Sequence, residues 1–382
     1  MQGAGNNKVY DIAIAGGGLA GLSLAIQAAR AGYDVILFEK ERYPFHRVCG
    51  EYISLESWNF LQDLGVPLSD LQLPQITQLL ISAPNGNHVK QRLPLGGFGI
   101  SRHFLDHYLF KLAQEAGATV HQETKVTDIE FRSQKFEIAT GSNLFHAKIT
   151  AGAFGKRSIL DFKWKRNFLN NKSCKLNNNV GVKYHVSYPV VQNEIALHNF
   201  EDGYCGISQV EGDKQCLCYL TSASNLTKSN NSIENMERTI LMKNPFLREI
   251  FNKAVFLFKD PVTISQIAFD RKEQVEQHVL MIGDAAGMIT PLCGNGMSMA
   301  LHSSKLAFDE INAFLKNEID RYEMELQYSR TWESAFSNRM RNGRILQNLF
   351  GKPFLTNLFV ASVKPFPKLV SFLVRQTHGQ PF

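Results

Sequence analysis

The chain has 382 residues, of which 44% are hydrophobic and 20% are charged, a composition typical of a globular protein with more than one domain. Its six cysteines form no CxxC pair and no cluster with histidine at zinc spacing, which argues against a disulfide framework or a metal site. The net charge of +6 originates in residues 334–382, where seven basic side chains and no acid alternate with bulky aliphatic residues, a pattern that does not favour nucleic-acid binding.

Residues 9–39 have the pattern of a strand, a glycine-rich turn, a helix and a second strand. The strand 9–15 leads into the turn GGGLAG (16–21), and the second strand, 34–38, ends at Glu39. Gly16 allows a tight turn, Gly18 lets the backbone approach a pyrophosphate, and Gly21 permits close packing of helix on strand. Glu39 is placed to accept hydrogen bonds from an adenosine ribose. The pattern predicts a dinucleotide site and leaves FAD and NAD(P) open.

The middle of the chain predicts a helix at 104–116 and short strands within 118–150. An Asn-rich loop at 169–180 precedes alternating strands at 180–188, 194–200, 204–210 and 215–222, which suit one antiparallel sheet. Cys216 and Cys218 alternate in the last of these strands and therefore share one face. We interpret both as core residues, because cysteine is among the most buried residue types.

A second glycine-rich loop, GDAAGMITPLCGNGM, occupies residues 283–297. A buried strand at 278–282 precedes it, and apolar residues at helical spacing follow it over 296–315. Asp284 can accept a hydrogen bond from a ribityl hydroxyl, and residues 294–297 would present backbone N–H groups at the helix start to the negative edge of a reduced flavin. Two loops so far apart suit a long ligand, with one for the pyrophosphate and one for the isoalloxazine. This second loop therefore favours FAD.

The tail at residues 345–376 mixes Phe, Leu and Val with Lys and Arg and is interrupted by Pro353, Pro365 and Pro367. Two interpretations stay open: short helices that cap a substrate cavity, and a basic amphipathic surface that contacts anionic lipid. Nowhere does the chain approach the run of about 18 apolar residues that a membrane span needs. We therefore predict a cytoplasmic protein that is membrane-peripheral if the second interpretation holds.

Five segments carry a family resemblance: GGGLAG with Glu39, RVCGEYIS (47–54), SRHFLDHYL (101–109), AGAFGKRS (151–158) and the second glycine loop. In this order they resemble the geranylgeranyl reductase branch of the para-hydroxybenzoate hydroxylase-type FAD-dependent oxidoreductases. The resemblance implies an α/β fold, in which a glutathione-reductase-type, Rossmann-like FAD domain (1–75, 98–160 and 271–325) carries an inserted antiparallel β-sheet substrate domain (76–97 and 161–270). A helical C-terminal cap (326–382) would follow.

The resemblance also implies the roles of site residues. Arg47, Cys49 and Gly50 would lie beside the flavin, Arg102 would pair with phosphate or ribose, and Val126 would contact adenine through its backbone. The predicted FAD-binding residues are Gly16, Gly18, Leu19, Ala20, Gly21, Glu39, Lys40, Arg47, Cys49, Gly50, Arg102, Val126, Gly283, Asp284, Pro291, Gly294, Asn295, Gly296 and Met297.

Two residues of these segments raise separate questions. Family members usually have Ala-Asp-Gly where this chain has Ala153-Phe154-Gly155, so the electron donor is open, with NAD(P)H one candidate reductant. We interpret Phe154 as core, since aromatic side chains are most often buried. Cys49 is our candidate catalytic residue, because the neighbouring Arg47 could lower its pKa. The alternative is a wall residue that only shapes the cavity.

The resemblance favours two functions, and the missing acid at Phe154 together with the basic tail raises a third. The first is an FAD-dependent oxidoreductase that reduces a carbon–carbon double bond of a small lipophilic, prenyl- or polyketide-like substrate by hydride transfer from reduced flavin. The second is a monooxygenase that hydroxylates an aromatic or apolar substrate after O₂ has added to the flavin at C4a. The third is a flavin-binding, membrane-peripheral partner without turnover. The sequence leaves the oligomeric state open.

Overall fold

The structure is a computed structural model that describes residues 8–170, 178–267, 269–290, 294–376 and 379–382. Within these ranges seventeen strands form two sheets. In chain order the strands are β1 (Val9–Ala15), β2 (Val35–Phe38), β3 (Tyr52–Ser54), β4 (Gln75–Ser82), β5 (His88–Gly99), β6 (Thr119–His121), β7 (Asp128–Arg132), β8 (Lys135–Thr140), β9 (Asn143–Gly152), β10 (Asn179–Ser187), β11 (Glu194–Phe200), β12 (Gly203–Gln209), β13 (Gln215–Ser222), β14 (Val255–Phe256), β15 (Val262–Ile267), β16 (Val275–Glu276) and β17 (Val279–Met281).

Helices cover both sheets and form the end of the chain. Those of the described ranges are α1 (Leu19–Arg30), α2 (Trp58–Asp63), α3 (Arg102–Glu115), α4 (Ile159–Lys163), α5 (Ala223–Lys228), α6 (Ile233–Thr239), α7 (Pro245–Lys253), α8 (Gly296–Leu315), α9 (Arg321–Leu349), α10 (Pro353–Val363) and α11 (Pro367–Arg375). None of them combines the length and the hydropathy that crossing a bilayer requires.

The first sheet is parallel at its centre, where the strand order is β17, β9, β1, β2 and β6. β1, α1 and β2 form the strand–helix–strand unit that the sequence predicts, and α1 packs against α3 and α8. Because the central strands are parallel, their carboxyl ends meet at one edge. Gly16, Glu39 and Asp284 follow β1, β2 and β17 within a few residues, so this edge gathers the predicted cofactor residues.

The second sheet runs in the order β14, β10, β13, β12, β11, β4, β5 and β3, with β15 also paired to β10. Its pairs are antiparallel with one exception, since β11 and β4 run parallel. β3 belongs to this sheet although it lies at 52–54, within the predicted FAD domain. The loop that carries Arg47, Cys49 and Gly50 therefore connects the two sheets.

Two apolar layers cover the two faces of the second sheet. On one face it packs against α6 and α7 through Met236, Leu247 and Ile250, which are buried. On the other face Leu93 and Leu197 form a cluster with Val363 of α10 and Val370 of α11. The C-terminal helices thus lie over the second sheet, an arrangement consistent with the cap interpretation of the tail.

Candidate functional site

Both glycine loops face one cleft of about 1120 Å³ between the two sheets. Gly21 and Asn295 are predicted FAD-binding residues that do not line it, and Pro291 lies outside the described residues. The predicted residues that line the cleft are Gly16, Gly18, Leu19, Ala20, Glu39, Lys40, Arg47, Cys49, Gly50, Arg102, Val126, Gly283, Asp284, Gly294, Gly296 and Met297. Residues from two distant segments of the chain thus converge on a cavity large enough for a cofactor.

The first glycine loop has the geometry of an anion cradle. Gly16 has a φ of +118°, and a Cβ atom there would lie 2.3 Å from the Ala153 carbonyl oxygen. A Cβ atom on Gly21 would lie 2.0 Å from the Gly16 carbonyl oxygen, so this glycine is required for helix packing and not for ligand contact. A Cβ on Gly18 would meet only Arg102 Nη2, at 3.6 Å. Because no side chain caps α1, its first N–H groups remain available to a pyrophosphate, and the loop fits FAD.

Glu39 is buried, lines the cleft and belongs to a network of ion pairs. Its carboxylate accepts hydrogen bonds from the Gly17 N–H at 2.9 Å and from Arg47 Nη2 at 2.8 Å. Arg47 Nε also donates to Asp106 at 3.0 Å, and Arg102 donates to both oxygens of the Asp106 carboxylate at 2.6 and 2.7 Å. Arg47 is therefore bound at the end of the cleft that the sequence assigns to the adenosine. Its predicted place beside the flavin gains no support from these contacts.

The second glycine loop leads into α8 at the other end of the cleft. Gly294 has a φ of +69°, and a Cβ atom there would lie 3.0 Å from the ring of Tyr52. α8 begins at Gly296 without a side-chain cap, so its first N–H groups can stabilise the negative charge of a reduced flavin. Asn295 is fully buried just before this helix. Through Tyr52 the second glycine loop contacts the strand that follows Cys49 and Gly50.

A buried charged cluster lies directly behind the loop of Cys49, and the sequence predictions missed it. The fully buried carboxylate of Glu51 accepts from the Arg102 N–H at 2.7 Å, from His185 Nε2 at 2.6 Å and from Lys183 Nζ. Burial alone would raise the pKa of Glu51, but the hydrogen bond from His185 and the charge of Lys183 outweigh it and hold the pKa at about 2. Burial opposes the charge of Lys183, yet the Glu51 carboxylate raises the pKa of this ammonium. Both partners are therefore ionised at neutral pH.

A sequence signal for this cluster existed. Lys183 and His185 are two residues apart in the otherwise apolar strand VGVKYHVS (180–187), which places both side chains on one buried face. Charged residues at such positions are almost always paired when buried. What the sequence could not indicate was the partner, because Glu51 is 132 residues from Lys183.

Of the four cysteines in the described ranges, Cys205 and Cys216 are buried, whereas Cys49 and Cys218 are half-buried and line the cleft. Cys49 is half-buried, and its carbonyl oxygen accepts a hydrogen bond from Cys216 Sγ at 3.2 Å. Burial raises the pKa of the Cys216 thiol well above its usual range and that of Cys218 to about 12. Both thiols therefore stay protonated at neutral pH. Cys216 is a core residue as predicted, whereas the same prediction is wrong for Cys218, which is half-buried and lines the cleft. Phe154 packs against the apolar core around the first sheet, and its ring centroid lies 6.3 Å from that of Trp164. Phe154 also lines the cleft.

Beyond the glycine loops the cleft continues into an apolar chamber between the second sheet and the helices α10 and α11. We call this part the apolar chamber. Its walls are aliphatic over most of their extent and are contributed by Leu79, Ile81, Val89, Leu93, Ile195, Leu197, Leu220, Ile264, Ile267, Val363, Val370 and Val374. Such a surface binds hydrocarbon and offers few hydrogen-bond partners.

Comparison with known families places these features in context. The sequence model of the FAD binding domain family matches residues 9–330 of the chain. Conditioned medium factor receptor 1 from Dictyostelium discoideum is 24% identical over 361 residues, which cover 87% of this chain and 69% of that protein. Digeranylgeranylglycerophospholipid reductase from Methanococcus vannielii is 23% identical over 368 residues, which cover 89% of this chain and 87% of the reductase.

Solved structures show the same fold. A geranylgeranyl bacteriochlorophyll reductase-like protein from Thermoplasma acidophilum has a TM-score of 0.77 at 17% sequence identity, covering 97% of this chain and 96% of that one. Flavin-dependent halogenases are also among the similar proteins. At this level of identity the structural likeness concerns the fold and leaves the reaction open.

Proposed function

The chain belongs to the FAD binding domain family and is an FAD-dependent oxidoreductase, and we propose that it reduces a carbon–carbon double bond of a lipophilic, prenyl-like substrate. The apolar chamber is the observation that carries this proposal. It opens from the part of the cleft that Cys49, Gly294 and Met297 line, where the sequence assigns the flavin. A hydrocarbon chain in the chamber would therefore present its end or an internal double bond to the reacting edge of the cofactor.

Substrate binding in this chamber would depend on the length of the hydrocarbon chain. Burial of apolar surface contributes about 0.8 kcal/mol for each methylene group. Aliphatic side chains make up most of the walls, and the polar side chains of Tyr204 and Ser208 also line the cleft. The geranylgeranyl-chain reductases among the relatives support the same substrate class.

The chain's own residues would hold the cofactor and the substrate in place. Bound FAD supplies hydride chemistry when it is reduced. The N-termini of α1 and α8 would bind its pyrophosphate and its pyrimidine edge, and the ion pair with Asp106 fixes the guanidinium of Arg102 beside Gly18. The cluster around Glu51 secures the loop of Cys49 against β10, so that the cavity wall keeps its shape during substrate binding.

We assign the proton-donating role to Cys49. Reduction of a double bond adds a hydride to one carbon and a proton to the other, and Cys49 is a half-buried residue that lines the cleft. The proton would come from Sγ–H, and the thiolate left behind would regain a proton from water. We expect Cys49→Ala to lower kcat by about 10²-fold or more, in the range of general acid catalysis, with an unchanged FAD content. Cys49→Ser would keep part of the activity, because a hydroxyl can donate a proton.

The deciding experiment is anaerobic. The purified FAD-loaded protein is reduced with dithionite, mixed with a geranylgeranyl-chain phospholipid, and followed by flavin absorbance and by product mass. Reoxidation with a gain of two hydrogens per double bond supports the proposal. The absence of any reoxidation by unsaturated lipid, with O₂ consumption and hydroxylated product in air, would identify a monooxygenase instead. Separate anaerobic mixing with NADPH and NADH identifies the reductant, which Phe154 leaves open.

A further inference from the structure

The helix α10 presents apolar side chains to solvent as well as to the interior. Its inner side carries Thr356, Val360 and Val363, which are buried. Its outer side carries Phe354 and Leu358, which are 78% and 57% exposed and lie four residues apart on one helical face. A surface helix that already packs through its inner side normally has polar residues on the outer side. An apolar outer face of this kind marks an interaction surface.

The residues that follow α10 extend the apolar surface. Phe366, between α10 and α11, is 61% exposed, and Phe372 of α11 is 56% exposed. We call Phe354, Leu355, Leu358, Phe366 and Phe372 together the outer apolar face. Basic side chains adjoin it: Lys352 and Lys364 flank α10 and Arg375 ends α11, all three exposed. No acidic residue occurs between 334 and 382.

The same two helices separate this face from the apolar chamber. Phe359 and Val363 of α10 and Val374 of α11 line the chamber from the inside. A lipid that left a bilayer at the outer apolar face would therefore reach the chamber by passing two short helices, each of which begins with a proline.

We propose that the outer apolar face docks on the surface of an anionic phospholipid bilayer, from which the substrate enters the apolar chamber. The docking itself is argued from exposed apolar side chains with lysine and arginine at the ends of the same helices, the pattern of interfacial helices. Entry of the substrate rests on the proposed function. A second copy of the chain fits this face less well, because symmetric contact would bring the basic side chains of the two copies together.

Vesicle co-sedimentation of the full FAD-loaded chain tests the docking. We expect binding to vesicles of phosphatidylcholine mixed with phosphatidylglycerol, weaker binding to phosphatidylcholine alone, and weakening by added salt. Phe354→Ser combined with Leu358→Ser should reduce binding by about tenfold or more, since two inserted apolar side chains are lost. Lys352→Gln combined with Lys364→Gln should reduce binding to the anionic vesicles by roughly tenfold, with little effect on neutral ones.

The matched control is Tyr322→Ser, which removes a 72% exposed aromatic side chain from α9, outside the outer apolar face. We expect this variant to bind vesicles like the unaltered protein. Flavin absorbance and thermal midpoint show that each variant is folded. Equal vesicle binding by the Phe354→Ser/Leu358→Ser variant, or no binding of the unaltered chain to any vesicle, would overturn the proposal. So would a dimer in solution that these two substitutions abolish, because the face would then serve a second copy.

The test does not require turnover, so its outcome is separate from that of the proposed function. Vesicle binding without reduction of any double bond would refute the proposed function and leave the docking intact. Reduction of a detergent-dispersed substrate without vesicle binding would refute the docking alone.

Discussion

The buried pair of Glu51 and Lys183 allows a quantitative prediction about stability. An ordinary glutamate pKa of 4.5 is lowered to about 2 in the folded protein. At 1.36 kcal/mol for each pKa unit, the folded environment favours the charged carboxylate by about 3 kcal/mol. Lys183→Met would leave this carboxylate in the interior with only His185 and one backbone N–H. We expect a loss of about 3–5 kcal/mol, the usual result when one partner of a buried ion pair is removed.

The measurement is urea unfolding of the FAD-loaded protein for Lys183→Met, Glu51→Gln and the double variant. Both single substitutions leave a buried group without its partner, whereas the double substitution removes both charges. We therefore expect the double variant to lose less than the sum of the two single losses, by at least about 1 kcal/mol. Lys253→Met is the matched control, because Lys253 Nζ pairs with Glu249 at 2.8 Å on the exposed surface. Its cost should be small, because an ion pair in water contributes little to stability.

The same pair predicts a pH dependence with a definite sign. Because the folded pKa of Glu51 lies below its unfolded value, the stabilisation is complete above about pH 5 and is lost as the pH falls towards 2. The Glu51→Gln variant should lack this part of the acid sensitivity. A Lys183→Met variant no less stable than Lys253→Met, or single losses that simply add, would refute the reasoning. Either result would mean that the two charges do not interact in the folded protein.

Three further predictions concern the cleft, the second sheet and the apolar chamber. Gly294→Ala should raise the Kd for FAD by about tenfold in a fluorescence titration, because it strains a residue at φ +69° and places a methyl group against the ring of Tyr52. The control is Gly212→Ala, at φ +71° in open space, which should leave that Kd unchanged. The buried hydroxyls of Tyr184 and Tyr219 donate hydrogen bonds to Glu237, and burial raises the pKa of Glu237 to about 7. Glu237 therefore stabilises the folded protein at low pH. This contribution is lost as the pH rises from about 4.5 through 7. Glu237→Gln should thus gain stability relative to the unaltered protein at pH 8 but not at pH 4, and an equal effect at both values would contradict the assignment. Leu197→Trp should raise KM for a long prenyl chain more than for a short one, since it shortens the apolar chamber, and an equal change for both would show that the chain lies elsewhere.

Local sequence determined the cofactor loops. Gly21 is needed because a Cβ atom there would collide with the Gly16 carbonyl oxygen in the same strand–turn–helix unit, which is one contiguous segment. The turn at Gly16 requires a φ of +118°, and a Cβ atom there would collide with Ala153, which follows β9. The strand Val9–Ala15 and the helix Gly296–Leu315 have the predicted bounds, since hydrophobic periodicity and flanking glycines indicate where such elements begin and end. The family motifs then extended this local prediction of a dinucleotide site to FAD as the cofactor and to the overall fold.

Only the tertiary structure brought together what the chain keeps apart. Glu51 meets Lys183 and His185 because the loop before β3 crosses onto β10, and no local pattern specifies that crossing. The sequence prediction placed Arg47 beside the flavin. In the structure Arg47 donates to Glu39, and this contact depends on the path of the loop before β3, which no local pattern specifies.

Packing also determined which side of each C-terminal helix is buried and which is exposed. Phe, Leu and Val occur on both sides of α10, so composition and periodicity could not distinguish a cavity cap from a lipid surface. The second sheet occupies one side and leaves the other exposed. In this protein, contiguous segments encode the elements and the glycine turns through short-range sterics, whereas the partners of buried charges and the orientation of amphipathic helices depend on long-range strand register and packing.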